Sequence, residues 1–534
     1  MPRIAFITPP LIKPAEPGLS AAAAAQWFRN RGVDTISVDA SIGWYRHTLG
    51  EGPMTAALAQ AEQLGYARGS MMTFRQTVRQ LAEPVPVLRR PETYRDRRVY
   101  SSATNHLINA LRLASVAHPG FHLRVADVEV EGRRPHRSED LESIAHGPGP
   151  FDAYFTEVLI PWLEQERITH VAVSFTFLHQ AYAGFRLARL LGERLPGLER
   201  LAGGPLMACW SAVGATFEAP VFRLFHRICP TASEQEMEAL ALAWGGTPHA
   251  RKALFAPDLA TTPWNDYLVP MPTIPVALGR GCYWRRCTFC PDYLHPSYRS
   301  GSRDALAAWL EAVATRFPAG AMLHLTDSAL SPPLLEHVAD TIRRDRLPLR
   351  WHGFVRLEAR FADPAFTRHL AEGGCAMLQW GLETASPRLL EMMDKGVTPD
   401  QARQALRSSA GAGIRNHAYL LFGLPTETDA DRELTLDFVR SEQASLHDLN
   451  TSILNLPKRS PMHEHPERYG ITALSPFGAE TDLSLYSDFR CGSSHPRLEA
   501  RHWIAARLLK DPSVKAILGD LNAPFKANHA CFLP

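Results

Sequence analysis

The chain has 534 residues, which is too long for one ordinary hydrophobic core, so two or three domains are expected. Hydrophobic residues make up 45% and charged residues 21%, as in an ordinary globular protein. The 57 Lys and Arg nearly balance the 55 Asp and Glu, and this net charge of +2 gives no electrostatic case for nucleic acid or an anionic membrane as partner. The start lacks a signal peptide's apolar core, and no apolar run approaches the roughly 18 residues that span a bilayer, so a cytoplasmic protein is expected.

Residues 1–255 are predicted to form a doubly wound parallel α/β domain, because short apolar strands alternate with helical segments. The predicted strands are RIAFIT (3–8), DTISVDA (34–40), THVAVSF (169–175) and LERLAGG (198–204). Residues 45–155 interrupt this alternation and are predicted to be a mostly helical insertion. Ligands of such sheets bind outside the carboxyl ends of the strands, so the turns after these strands are the candidate binding elements.

The Pro-rich stretch 256–271 is predicted to be a linker to a second α/β region at 272–456. The strand candidates of that region are IPVALG, AMLHLT, RWHGFV, AMLQWGL, IRNHAYLLF and DLNTSILNL. Helices separate most of them, and Ser-Pro or Thr-Pro pairs supply their starts. Six strand–helix units predict an open, barrel-like parallel sheet with reactive groups at the carboxyl ends of its strands. Residues 457–534 form a small C-terminal region without a chemical signature.

The stretch GRGCYWRRCTFCPDY places Cys282, Cys287 and Cys290 within nine residues, whereas the remaining cysteines are scattered and form no disulfide framework. Structural zinc would need a fourth ligand, for which His295 is the only nearby candidate. A plant-type two-iron cluster uses the same C-x4-C-x2-C spacing and would add a remote cysteine such as Cys375, but it belongs to small β-rich electron carriers. Buried, chemically idle cysteines are a third possibility.

A four-iron cluster held by three thiolates is the interpretation that we favour. Such a cluster keeps one iron open to a small ligand and is therefore a catalyst. The neighbouring Arg285 and Arg286 would attract thiolates and a net-anionic cluster.

The segment RGCYWRRCTFC resembles the cluster loop of the radical S-adenosylmethionine enzymes, including the aromatic Phe289 before the third cysteine. The commonest spacing in that family is C-x3-C-x2-C, so the extra residue here predicts a wider loop. More specifically, the chain resembles, over about 1–40 and 165–460, the subgroup in which a cobalamin-binding domain precedes the barrel. The resemblance implies an α/β fold: an N-terminal Rossmann-like cobalamin-binding domain, a partial (β/α)6 radical S-adenosylmethionine barrel and a small C-terminal region.

The resemblance also implies roles for individual residues. Cys282, Cys287 and Cys290 would bind three irons of a [4Fe–4S] cluster, and S-adenosylmethionine would chelate the fourth and yield a 5′-deoxyadenosyl radical. The residues expected around S-adenosylmethionine are Thr326, Asp327 and Ser328 at the methionyl amino group, Glu383 and Thr384 near the ribose or methionyl end, Arg415 at the carboxylate, and Gly423 and Pro425 along the adenine. The residues expected at the cobalamin nucleotide tail are Ser174, Thr176, Gly203 and Gly204.

Each of these assignments has a purely structural alternative. For Asp327 and Glu383 the alternative is a helix N-terminal carboxylate, and for Arg415 it is an ordinary surface arginine. For the small residues of the first domain, the alternative is a simple strand-to-helix turn. His324 and His352 fall on predicted barrel strands, where a lone histidine is more often a core or rim group than a substrate contact.

One departure concerns cobalt. Many cobalamin-binding domains carry a D-x-H-x-x-G motif whose histidine ligates cobalt, and TPPLIKPAEPG after the first strand contains no histidine. Cobalamin would therefore bind without that ligand, a state that favours methyl transfer.

The sequence thus predicts a cobalamin-dependent radical S-adenosylmethionine enzyme that methylates an unactivated carbon of a natural-product or peptide substrate. A flavodoxin or ferredoxin would reduce the cluster, with no nucleic acid or membrane involved. The alternatives are a cobalamin-assisted rearrangement or cyclisation, and a non-catalytic iron–sulfur binding protein.

Overall fold

The computed structural model describes residues 2–81, 86–231, 233–248, 254–291, 298–477, 481–519 and 525–533. Within these ranges, no helix combines the length and the apolar character that a membrane crossing requires. His295, the candidate fourth zinc ligand, lies outside them.

The amino-terminal half is built on a parallel sheet. Its strands are β1 (Arg3–Thr8), β2 (Asp34–Asp39), β3 (Phe121–Arg124), β4 (Asp127–Val130), β5 (His170–Ser174), β6 (Glu199–Gly203) and β7 (Arg227–Ile228). The sheet has the order β2-β1-β5-β6-β7 with all neighbours parallel, whereas β3 and β4 form a separate antiparallel hairpin. This confirms the predicted doubly wound α/β fold of the first region.

Helices cover both faces of this sheet and make up most of the insertion. They are α1 (Leu19–Arg29), α2 (Ala40–Thr48), α3 (Glu51–Gln63), α4 (Arg68–Leu81), α5 (Arg97–Val116), α6 (Ser138–His146), α7 (Asp152–Tyr154), α8 (Ile160–Gln165), α9 (Gln180–Arg194), α10 (Pro205–Ala212) and α11 (Glu234–Ala243). Gly32 follows α1 with φ of +84°, as expected for a glycine that ends a helix. The insertion is mostly helical as predicted, but the β3–β4 hairpin was not foreseen.

The second half contains a six-stranded sheet of order β15-β14-β13-β12-β11-β8, and all of its strands are parallel. The strands of this half are β8 (Thr273–Val276), β9 (Gly279–Arg280), β10 (Arg299–Ser300), β11 (Ala321–Leu330), β12 (Leu349–Val355), β13 (Cys375–Glu383), β14 (Arg415–Phe422), β15 (Asp448–Ile453), β16 (Leu456–Pro457), β17 (Ala473–Pro476) and β18 (Tyr486–Arg490). The six long strands match the predicted ones in order and confirm the partial barrel.

The helices of this half pack on the outside of the barrel. They are α12 (Arg303–Arg316), α13 (Pro332–Arg344), α14 (Pro364–Glu372), α15 (Pro387–Met392), α16 (Pro399–Gly411), α17 (Asp429–Ser441), α18 (Pro461–Glu464), α19 (Pro496–Ala506), α20 (Pro512–Leu518) and α21 (Lys526–Ala530). The predicted start signals are present at α15 and α16, where Ser386 and Thr398 each accept a backbone hydrogen bond as N-caps. Ser331 precedes α13 without such a bond.

Two large cores stabilise the halves separately. Alternate barrel residues such as Leu325, Trp351 and Trp380 are fully buried and pack against the outer helices. In the first half, Phe175 and Phe185 belong to a second core beneath the sheet, with ring centroids 5.3 Å apart. Phe175 follows β5 directly, so this core fixes the turn after that strand.

We predict that Gly184→Ala destabilises the first half by roughly 1–3 kcal/mol, the usual cost of overpacking. A Cβ at Gly184 would overlap the Phe175 ring, whereas a Cβ at the exposed Gly197 would meet nothing within 4 Å. Urea unfolding followed by circular dichroism should therefore show a lower midpoint for Gly184→Ala and little change for Gly197→Ala. Adding Phe175→Leu to Gly184→Ala should restore part of the loss, and equal midpoints for the two alanine variants would contradict the packing argument.

Candidate active site at the barrel mouth

The cysteine loop leaves and rejoins the barrel at the carboxyl end of β8. β9 and β10 pair antiparallel, with Arg280 opposite Arg299, and so close the base of the loop. Gly281 opens the loop with φ of +74°, in the left-handed region that glycine adopts without strain. The three cysteines therefore lie at the barrel mouth, as predicted for a loop that follows the first barrel strand.

All three cysteines of the loop are partly exposed. The amide of Cys290 donates to the carbonyl of Cys287 at 3.2 Å, which folds the second half of the loop into a turn. Burial raises the pKa of the Cys287 thiol, and the positive charges of Lys395 and Arg356 oppose that shift. Within the described ranges, no group of three or more His, Cys, Asp or Glu side chains is placed to hold a metal ion. The fit to a cluster therefore rests on the donor set and on the cations around it.

Arg356 is a buried cation that contacts the cysteine loop. It follows β12, and its side chain is only 6% exposed. Its Nη1 lies 3.8 Å from Cys287 Sγ, and its Nη2 donates to the carbonyl of Lys395 at 2.5 Å. The guanidinium also lies 3.9 Å from the centre of the Trp284 ring. A fixed, buried positive charge of this kind stabilises a thiolate or an anionic cluster.

The loop rests on the segment that follows α15. Trp284 Nε1 donates to the carbonyl of Asp394 at 2.9 Å, and Thr288 donates through its amide and its hydroxyl to Met393 and Met392, each at 3.0 Å. Gly396 has φ of +66°, and a Cβ there would overlap the Trp284 ring. α15 ends before this glycine, at Met392, and Gly396 makes room for the indole.

A buried ion pair links the motif GLETAS to the loop. Glu383 Oε1 and Lys395 Nζ are 2.7 Å apart, and the two side chains are 12% and 7% exposed. Lys395 Nζ also lies 5.7 Å from the centre of the Phe289 ring. Glu383 has φ of +63°, a strained conformation for a residue other than glycine. Strain of this kind is common at functional sites, and here it turns the carboxylate toward Lys395.

The motif LTDSAL lies next to the base of the loop. The amide of Leu278 donates to Asp327 Oδ2 at 2.9 Å, and burial raises the pKa of Asp327 to about 6, opposed by hydrogen bonds from the backbone of Leu278 and Gly279. Thr326 and Ser328 are exposed on the other face of β11, and the Thr326 hydroxyl donates to the carbonyl of Val276 at 3.2 Å. Asp327 thus braces the chain that leads into the cysteine loop.

Thr384, Gly423 and Pro425, which were also predicted around S-adenosylmethionine, follow the ends of two barrel strands. Thr384 is buried against Thr435, with hydroxyls 2.9 Å apart. Gly423 has φ of +72° and donates its amide to Glu427 Oε2 at 2.6 Å, two residues before the buried Pro425. These residues lie at the carboxyl ends of β13 and β14 and so share the edge of the cysteine loop.

Arg415 is not brought to this edge. It is the first residue of β14, so the eight-residue strand separates it from the mouth by roughly 23 Å. Burial lowers its pKa there, as does the neighbouring Arg97, against an opposite effect of Asp448.

The residues predicted for cobalamin collect at the carboxyl edge of the first sheet. Ser174 Oγ donates to Ser20 Oγ at 2.8 Å, and the amide of Thr176 donates to Gln180 Oε1 at 3.0 Å. Gly204 has φ of +96°, and a Cβ there would overlap the backbone of Phe175. With Gly203 directly before it, this turn keeps the backbone bare of side chains at the position where a ligand of such a sheet would lie.

The same edge of the first sheet faces the barrel. The loop after β1 reaches the barrel interior, where Glu16 lies 2.8 Å from Nδ1 of His324 on β11. The amide of Leu268 donates to the carbonyl of Pro14 at 2.6 Å, and the hydroxyl of Tyr267 donates to Asp39 Oδ2 at 2.8 Å. The loop after β1, at the carboxyl edge of the first sheet, therefore enters the barrel interior, and the contacts of Tyr267 and Leu268 lie on the amino-terminal side of β8.

Comparison with known proteins agrees with this architecture. Residues 276–439 match the model of the radical SAM superfamily, so the chain contains a radical S-adenosylmethionine domain. This confirms the predicted radical S-adenosylmethionine domain, whose cofactors are a [4Fe–4S] cluster and S-adenosylmethionine. The matched residues include all three cysteines of the loop.

Two curated relatives match this chain in sequence, each over less than a third of this chain's length. An uncharacterized methyltransferase of Pyrococcus horikoshii is 26% identical over 168 residues, which are 31% of this chain and 36% of the relative. An uncharacterized protein of Methanopyrus kandleri is 44% identical over 113 residues, 21% of each chain. The chain thus spans about a third or less of the length of these relatives.

Two solved structures are similar in fold. One is the cobalamin-dependent S-adenosylmethionine radical enzyme OxsB with aqua-cobalamin bound, with 16% identity and a TM-score of 0.43 over 59% of this chain and 49% of the other. The other is the radical S-adenosylmethionine methyltransferase TsrM from Kitasatospora setae, with 18% identity and a TM-score of 0.45 over 59% of this chain and 68% of the other.

Sequence reasoning missed Arg356, Lys395 and Trp284 as parts of the site. Arg356 and Lys395 carry no local motif, and only the fold brings them to Cys287. Trp284 lies inside the quoted loop, and its place directly before Arg285 and Arg286 was an available signal.

We predict that Arg356→Met lowers the reduction potential of the cluster, because the lost cation stabilised the more negative, reduced state. A loss of about 1 kcal/mol of this stabilisation corresponds to roughly 40 mV, given about 59 mV for a tenfold change in a one-electron couple. Potentiometric titration followed by EPR measures the shift. Arg360→Met is the matched control, because Arg360 lies four residues on and is 51% exposed. Equal potentials in the two variants would refute the role of Arg356.

We predict that Gly396→Ala lowers the iron content after reconstitution, since the new methyl group displaces Trp284 and with it the loop. Gly413→Ala is the control: Gly413 also has positive φ, at +79°, but its Cβ would meet nothing within 4 Å. Both variants should lose about 1–2 kcal/mol of stability from the strained backbone. Iron analysis beside thermal unfolding separates the two effects, and a normal iron content in Gly396→Ala would show that the loop does not depend on this contact.

Proposed function

We propose that the chain is a cobalamin-dependent radical S-adenosylmethionine enzyme that methylates an unactivated carbon of a natural-product or peptide substrate. The observation that carries this proposal is the contact between the two halves: the loop after β1 extends from the carboxyl edge of the first sheet into the barrel interior, where Glu16 contacts His324. When bound, the cluster with S-adenosylmethionine supplies a 5′-deoxyadenosyl radical, and cobalamin supplies the methyl group. The barrel interior would then be the space that the substrate shares with both cofactors.

Around the cluster, the chain's own residues provide ligands, countercharge and support. Cys282, Cys287 and Cys290 would be the thiolate ligands, and the partial exposure of all three leaves room for a bound group. Arg356 contributes a fixed positive charge, and Trp284 anchors the loop to the segment after α15.

For S-adenosylmethionine, the proposed contacts are side chains at the mouth. Thr326 and Ser328 are exposed on one face of β11, where their hydroxyls can bond the methionyl amino group. Glu383 is held in place by Lys395, so its carboxylate is oriented before any ligand binds. Asp327 acts on the backbone at the base of the cysteine loop and so positions the loop.

For cobalamin, the proposal rests on the bare turn at Gly203 and Gly204 and on the absence of histidine from TPPLIKPAEPG. His179 does lie beside that loop, but its Nε2 is 2.7 Å from the carbonyl of Leu11 and donates to it. A nitrogen that donates its proton has no lone pair for cobalt. Nε2 of His179 is therefore not a cobalt ligand, and the absence of a motif histidine supports cobalamin bound without that ligand, the state expected for methyl transfer.

The relative from Pyrococcus horikoshii that is named a methyltransferase supports the methyl-transfer assignment. Low-potential chemistry also requires a reductant, for which a flavodoxin or ferredoxin in the cytoplasm is proposed.

The test is anaerobic reconstitution of the protein with iron, sulfide and hydroxocobalamin. The parent protein should bind about four irons per chain, as one [4Fe–4S] cluster requires. Each of the variants Cys282→Ala, Cys287→Ala and Cys290→Ala should lose most of this iron and keep the corrin absorbance. Cys491→Ala, at a half-buried cysteine outside the loop, is the matched control and should keep both. Gly204→Val should lose corrin and keep iron, because a side chain there overlaps the Phe175 backbone.

The activity is then measured with methyl-labelled S-adenosylmethionine. Formation of 5′-deoxyadenosine together with S-adenosylhomocysteine and labelled methylcobalamin would support methyl transfer. Formation of 5′-deoxyadenosine alone would favour a rearrangement or cyclisation. Four irons without retained corrin would refute the cobalamin assignment, and zinc in place of iron would refute the whole proposal.

A further inference from the structure

A hydrogen-bonded chain of polar side chains crosses the interior of the barrel below the mouth. The hydroxyl of Tyr419 on β14 donates to Gln379 Oε1 at 2.8 Å, and Gln379 Nε2 on β13 donates to Nδ1 of His352 on β12 at 3.1 Å. The ring of His352 stacks on His324 of β11, with centroids 4.5 Å apart and planes 18° apart. We call these four residues the barrel floor.

The barrel floor fixes the tautomer of His352. Because its Nδ1 accepts from Gln379, its proton lies on Nε2. Burial holds the pKa of His352 well below its usual value, an effect that the nearby His324 and His417 strengthen, so the ring is neutral. His352 is fully buried, and its Nε2 has no hydrogen-bond partner among the described residues. A buried donor without an acceptor is costly, so this N–H calls for a ligand that accepts.

The barrel floor is held rigidly from outside the barrel. Glu16, from the loop after β1, contacts Nδ1 of His324 through both carboxylate oxygens, at 2.8 and 3.0 Å. Asn528 of α21 donates to the same carboxylate at 2.9 Å and accepts from Lys13 at 3.2 Å. Two distant parts of the chain thus fix the ring on which His352 stacks, and His352 is oriented before any ligand binds.

Both carboxylates near the barrel floor have a cationic neighbour. Burial lowers the pKa of Lys13, against an opposite effect of Glu16, and His417 and Lys526 lower the pKa of Asp448 against the effect of burial. His417 lies 3.4 Å from Asp448. His352 itself is neutral, so it offers a ligand a hydrogen bond and no countercharge, and a carboxylate would lose its hydration here without gaining an ion pair from this ring.

The side chains one step nearer the mouth are half-buried or exposed. Thr326, Phe354 and Asn450 lie two residues beyond the layer of His324 and His352 on their strands, about 7 Å closer to the cysteine loop. The rings of Phe354 and Tyr419 are 5.3 Å apart. A ligand on the barrel floor would meet this aromatic pair on one side and the mouth above it.

We propose that the barrel interior binds its substrate through an uncharged hydrogen-bond acceptor of the amide-carbonyl type, which accepts from His352 Nε2 while an adjacent apolar or aromatic part packs on Phe354 and Tyr419. This inference rests on the proposed function and adds the substrate class: an amide-bearing or peptide-like molecule rather than a hydrocarbon lipid.

The experiment measures binding of three phenyl probes of similar shape to the reconstituted protein by isothermal titration calorimetry. N,N-dimethylbenzamide offers a carbonyl acceptor and no donor, benzoate offers a charge, and isopropylbenzene offers neither. The amide should bind about tenfold more tightly than the other two, which corresponds to one good neutral hydrogen bond. Equal binding of isopropylbenzene, or tighter binding of benzoate, would overturn the proposal.

His352→Phe keeps a stacked ring and removes the donor, so it should cost the amide about tenfold in affinity and leave isopropylbenzene unchanged. His502→Phe, at an exposed histidine of α19, is the matched control. If His352→Phe does not fold, Tyr419→Phe frees the Gln379 amide and should weaken amide binding several-fold. Unchanged amide binding in a folded variant of either kind would overturn the proposal. Because binding is measured directly, a failure of S-adenosylmethionine cleavage would refute the proposed function and leave this result standing.

Discussion

The contact of Glu16 inside the barrel is the constraint on which the arrangement of the two halves depends. A carboxylate that is only 14% exposed must be paired and hydrogen-bonded, and Glu16 obtains both from His324 and Asn528. The loop that carries it leaves β1, and β1 lies between β2 and β5 in its sheet. The first sheet is therefore tied to the barrel through an interior strand, which fixes its carboxyl edge more firmly than an edge strand could.

This tie has a chemical consequence. Parallel α/β sheets collect their ligands at carboxyl ends, and a loop from one such edge that enters the barrel interior brings the two halves together around one space. Reactive radical intermediates need positioning and exclusion of water, and both demand a closed interior. Arg356 and Lys395 contribute on the barrel side, since each is buried and already bonded within the protein. Their charges face the loop without reorganisation when a ligand binds.

The sequence predicted the features that short segments encode. The spacing of Cys282, Cys287 and Cys290, the alternation of strands and helices, and the caps at Ser386 and Thr398 are local patterns, and the structure shows both parallel sheets. Which residues bind each cofactor stays a prediction. Arg356 could not be found in this way, because it is 69 residues from Cys287 and carries no motif. Arg415 illustrates the opposite problem: its residue type suits a carboxylate, but the direction of β14 places it at the far end of the strand.

The C-terminal region shows why a segment without a chemical signature can still matter to the site. The six-stranded sheet is open, so β8 and β15 are edge strands that do not pair with each other. The backbone groups along such edges must be covered by other parts of the chain. Ala500, Trp503 and Val514 are buried in the barrel core, and Cys531 packs with Met322 and Met377 at the amino-terminal end of the strands. Packing of this kind needs only apolar residues in suitable places, so the sequence carries no motif for it. Because α21 also supplies Asn528 to Glu16, the same tail that closes the bottom of the barrel completes the contact that holds the first sheet against the barrel.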